Sequence, residues 1–76
     1  MLIKKLMIRD VSDGFYDIYV FEREVEKKDI EEAISLVKKH KEGEWTLDDV
    51  TNTIKSIFPV KEVIIFDVNH DIIDIC

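Results

Sequence analysis

The chain has 76 residues, 46% of them hydrophobic and 37% charged, and its 17 acids outnumber its 11 Lys and Arg to leave a net charge of −6. That much apolar side chain excludes the disordered class. The charge, with no apolar run longer than four residues, excludes a helical membrane span, which needs roughly 18. The negative balance also speaks against ordinary nucleic-acid binding, whose affinity comes from Lys and Arg neutralising phosphates.

These figures predict one compact domain over residues 1–76. Met1 to Met7 holds Lys4 and Lys5 inside its apolar stretch and offers no small-residue cleavage site, so it does not read as a secretory leader. A cytoplasmic location is expected. A single cysteine, Cys76, permits neither an internal disulfide framework nor a Cys-based zinc site. No cofactor is called for, because Gly14 and Gly43 build no phosphate loop and Ser12, Ser35 and Ser56 stand in no nucleophile-elbow context. The expectation is therefore a protein that is not an enzyme.

Residues 2–9 and 15–22 are rich in β-branched and aromatic types and flank Asp10 to Gly14, which ends in the Asp-Gly pair typical of a hairpin turn. A turn at Asp13-Gly14 puts Leu6, Ile8, Tyr19 and Phe21 on one face and Met7, Tyr16, Ile18 and Val20 on the other. It also sets Asp10 opposite Asp17, which is unfavourable and argues for a longer loop.

From Lys28 the period becomes helical, with Ile30, Ala33, Ile34 and Val37 on one stripe. Asp29 and Glu32 have the spacing of a capping box. Lys38, Lys39, His40 and Lys41 complement the negative end of the helix dipole, and Gly43 supplies a left-handed stop. Thr46 and Asp49 cap a second helix, Trp45 and Val50 form its hydrophobic staple, and Leu47, Val50, Ile54, Ile57 and Phe58 make its apolar stripe before Pro59. Its first turn carries Asp48 and Asp49, which repel phosphate and exclude a major-groove reading helix.

Residues 60–68 read as a strand, Asn69-His70 as a turn and residues 71–76 as a returning strand. The predicted fold is thus α+β, of order ββααββ, with a four-stranded antiparallel sheet and a two-helix layer packed on one face. A two-residue turn at 69–70 directs Ile64, Phe66, Val68, Ile73 and Ile75 to the core. The opposite face then carries Val63, Ile65, Asp67, Ile72, Asp74 and Cys76.

Two helices cover one face of such a sheet. The other, with Tyr16, Ile18, Val20, Val63, Ile65 and Ile72, is an apolar patch of the kind that marks an interaction surface. Those six residues are the candidate partner or dimer interface. The functional expectation is a small acidic protein-interaction module that binds another protein and itself as a homodimer, through that face or an edge strand. Its size and acidity fit an inhibitor or accessory protein of the sort a virus or mobile element encodes against a host factor. Asp10, Asp13, Asp17, Glu22, Glu24 and Glu26 offer a carboxylate array that a nucleic-acid mimic would present. The basic first strand and acidic last segment could attract each other across a dimer. The alternative is a metal-dependent enzyme or metal sensor using Asp67, His70, Asp71 and Asp74, although alternation sends Asp71 through the face opposite to Asp67 and Asp74.

Overall fold

A computed structural model describes residues 1–76, as strands β1 (Leu2–Asp10) and β2 (Tyr16–Glu26), helices α1 (Lys27–His40) and α2 (Leu47–Ile57), and strands β3 (Val60–Ile64) and β4 (Asp71–Ile75). The first loop is longer than the Asp-Gly pair alone. Asp10 leaves the cross-strand position facing Asp17 and accepts hydrogen bonds from the Ser12 amide (3.0 Å) and hydroxyl (2.6 Å). Gly14, at φ 82°, takes the left-handed conformation that closes the loop. The register becomes Leu6 opposite Tyr19 and Ile8 opposite Asp17. This is a slip of two residues from the Asp-Gly hairpin register, and an even slip leaves every side chain on its predicted face.

Between Ile3, opposite Val25, and Lys5, opposite Val20, the register breaks, and β2 holds Phe21 to Glu24 against the single Lys4. Such an excess bends a strand. Here it keeps Phe21 and Val25 buried while Glu22, Arg23 and Glu24 reach water.

Helix α1 buries Ile30, Ala33, Ile34 and Val37, as their spacing requires. It begins at Lys27 directly from the strand, with Glu26 in the extended cap position and no side-chain cap hydrogen bond. Asp29 therefore lies in the first turn, facing the positive end of the dipole, rather than capping the helix. Helix α2 carries the Thr46–Asp49 capping box in both directions, the Asp49 side chain accepting from the Thr46 amide (2.9 Å) and Thr46 Oγ1 from the Asp49 amide (3.3 Å). Neither helix is long and apolar enough to cross a membrane.

The two helices pack on one face of the sheet, where Ile3, Leu6, Ile8, Tyr19, Phe21, Val25 and Ile75 meet Ile30, Ala33, Ile34, Val37, Val50 and Ile54. Trp45, Leu47, Phe58, Val60, Val63 and Ile73 close the edges of this core.

The sheet is mixed, with order β3-β2-β1-β4, and this corrects the all-antiparallel expectation. Strands β2 and β3 are antiparallel, but β4 lies beside β1 and parallel to it, so β3 and β4 occupy opposite edges. No hairpin forms at Asn69-His70. A tight two-residue turn of the type favoured in hairpins requires positive φ, and outside the glycines only Glu42 has it. A hairpin would also have placed Asp67 and Asp74 on one face without a cation. Beside β1, Asp67 instead reaches Lys5 and Asp74 reaches Arg9. The basic first strand and the acidic last segment thus meet within one chain.

Candidate functional site

Residues 65–70 join the two edges of the sheet. Three interstrand spacings amount to about 14 Å, well within the reach of six extended residues at about 3.3–3.6 Å each. This strap crosses the sheet face opposite the helices. Two contacts with side chains of that face fix its path: Tyr16 donates its hydroxyl hydrogen to the Ile65 carbonyl (2.8 Å), and Lys5 Nζ donates to Asp67 Oδ2 (2.8 Å). Asp67 Oδ1 also accepts from the Asn69 amide (2.8 Å), turning the strap toward β4. Held between an ammonium and an amide, the Asp67 carboxyl lies below its ordinary pKa, the Lys5 hydrogen bond being the larger cause.

Beneath the strap runs a row of apolar side chains across all four strands: Ile64, Ile18, Met7 and Ile72. Ile18 is 0% exposed although it takes no part in the helix-side core. The covering that a second face needs is supplied by the chain itself. The strap then carries its own apolar side chains outward, with Ile65 84% exposed and Phe66 and Val68 each 76% exposed.

The six predicted interface residues therefore divide. Tyr16, Ile65 and Ile72 reach solvent, Val20 is half-buried, Ile18 is sealed under the strap, and Val63 faces the helices. The reversal at Val63 follows from its pairing with Tyr19, which sets the parity of β3 from β2 rather than from a hairpin with β4. Phe66 and Val68, predicted as core, are surface residues because the chain leaves the ladder after Ile64. Nothing in the alternation of residues 60–68 signals that departure. The missing glycine at 69–70 is the one available hint.

The acidic residues do not form one array. Asp10 is spent on the Ser12 turn, Asp13 Oδ1 accepts from the Phe15 amide, and Glu26 pairs with the N-terminal ammonium. Asp17 Oδ2 accepts from Thr51 Oγ1 (2.6 Å), which in turn accepts from the buried Tyr19 hydroxyl (2.8 Å). Burial pushes the Tyr19 hydroxyl far above the usual phenol range, so it acts as a neutral donor. Only Glu22 and Glu24 project freely, near the bend of β2.

The alternative metal site is likewise dispersed. Asp67 is paired with Lys5, and Asp74 makes two hydrogen bonds with the Arg9 guanidinium (2.8 and 3.0 Å), which hold Arg9 above its ordinary pKa. The half-buried His70 has Nδ1 3.3 Å from the Asp71 carbonyl. No three His, Cys, Asp or Glu side chains are grouped to hold one ion. The chain matches no protein-family model, no curated protein and no solved structure.

Proposed function

We propose that this chain is a small acidic protein-interaction module, a self-associating inhibitor or accessory protein that meets its partners through the outer surface of the strap. The observation that supports this reading is the exposure of Ile65, Phe66 and Val68 within six consecutive residues. Ile72 and Tyr16, also exposed, extend the apolar surface on the same side of the sheet. Single exposed apolar residues are ordinary, whereas a concentration of them rimmed by polar groups marks a surface that another protein covers. The rim here consists of the Arg9–Asp74 pair, open to water, and the Lys5–Asp67 pair, whose carboxylate is mostly covered, a composition suited to fixing orientation more than to adding affinity.

Replacing Phe66 and Val68 together by Ser tests the proposal. Sedimentation velocity and partner capture should show association reduced at least about tenfold, the loss of roughly 1.4 kcal/mol of apolar burial. The unfolding midpoint should stay near that of the parent, because neither side chain is part of the core. Unchanged association in the double variant would place the contact elsewhere.

A further inference from the structure

We infer that the self-associated form is a strand-exchanged dimer, in which each chain lays its β4 beside β1 of a second copy. This inference rests on the reading above that the chain self-associates, and it names the occupant of the surface. Strand β4 is a five-residue edge strand reached through a six-residue segment without regular structure. Every contact it makes is with other elements of the same chain, so a second copy can supply each of them unchanged: the parallel ladder from Leu6–Asp71 to Asp10–Ile75 and the Arg9–Asp74 ion pair. Exchange of an identical element is a low-cost route to a dimer.

What favours the exchanged form lies in the strap. Residues 60–68, Val-Lys-Glu-Val-Ile-Ile-Phe-Asp-Val, have the composition of one unbroken strand, yet β3 stops at Ile64 because the chain must turn across its own sheet. In the exchanged form β3 continues straight through Val68. Two such extensions, related by a two-fold axis, lie against each other; alternation from Ile64 directs Phe66 and Val68 of both chains to the face that carries Ile18 and Met7, where they take over the cover that the crossing strap gave that row, and turns Ile65 to the helix side. The exposure of Phe66 and Val68 in the closed chain is thereby accounted for. The closed form is held by the Lys5–Asp67 and Tyr16–Ile65 contacts, which the extended strap gives up.

The test is charge-swap complementation. In Arg9→Asp the new carboxylate meets Asp74 of the same chain, and in Asp74→Arg the new guanidinium meets Arg9. Co-refolded, the two chains restore both attractive pairs only where each has donated β4 to the other. Native mass spectrometry, which separates the two chains by mass, should then show heterodimer in about tenfold excess over either homodimer, falling as salt is raised. Random pairing, with heterodimer equal to the two homodimers together, would overturn exchange while leaving association through the strap surface intact. Monomers alone, for the parent chain as well as the variants, would overturn exchange and self-association together. Should a charge variant fail to fold, Asp67→Asn in the otherwise unaltered chain decides the matter. Loosening the strap raises the dimer fraction if strands exchange, and a fraction that stays level or falls overturns the inference.

Discussion

Truncating Ile18 and truncating Ile65 remove the same atoms from opposite surroundings. Ile18 is sealed between the sheet and the strap, so Ile18→Ala should cost about 2–5 kcal/mol, the range for buried branched residues whose cavity cannot collapse. Ile65, 84% exposed, should change stability by no more than about 0.5 kcal/mol on the same replacement. Urea denaturation of both variants checks the contrast, and equal losses would mean that the strap does not cover the face. Both residues belong to one apolar set in the sequence, and alternation alone cannot separate them. It tells which side of a sheet a residue faces, whereas burial of the second side depends on a connection whose path is decided by Lys5 and Tyr16 far away in the chain.

At the scale of elements, local signals succeeded where both partners lie within one turn. Thr46 and Asp49 stand three apart with a loop before them, and they form a reciprocal cap whose backbone hydrogen bond from Thr46 holds the Asp49 carboxyl below its ordinary pKa. Thr46→Ala should therefore destabilise the fold by about 1 kcal/mol, read as a lowered urea midpoint with unchanged slope. Asp29 and Glu32 show the same spacing to no such effect, because β2 runs straight into α1 and the helix starts at Lys27, three residues before the start that a cap at Asp29 implies. The hairpin of β1 and β2 and the two helical stripes were legible for the same reason of short range, except that Ile57, placed on the second stripe, lies exposed at the end of α2. The partners of β3 and β4 were not. Their place at opposite edges goes with contacts between residues 62 and 65 positions apart, which no local pattern reports, and with an Asn69 that could take positive φ but does not.

Charge acts on the molecule as a whole through these long-range pairs. The sequence runs from a basic beginning to an acidic end, and the fold brings the two together as Lys5–Asp67 and Arg9–Asp74, one on each side of the position where the strap rejoins the sheet. Asp67 has a folded pKa below that of an unfolded carboxyl, chiefly through the Lys5 hydrogen bond and then through the Asn69 amide. A depressed carboxyl stabilises the fold fully above its unfolded pKa, and that contribution disappears as pH falls through the folded value. The parent chain should accordingly hold its stability from neutrality down to the ordinary carboxylate range, about pH 4, and lose it below. Asp67→Asn removes the titrating group but keeps an oxygen for the Asn69 amide, so it isolates the pair with Lys5. Thermal melts across pH should find the variant less stable than the parent at pH 7, and the two curves should converge as acid protonates Asp67. Curves that stay parallel to the acid limit would show that the strap is held by the Tyr16 hydroxyl and by its own backbone lying over Ile18, with the ion pair contributing nothing to closure.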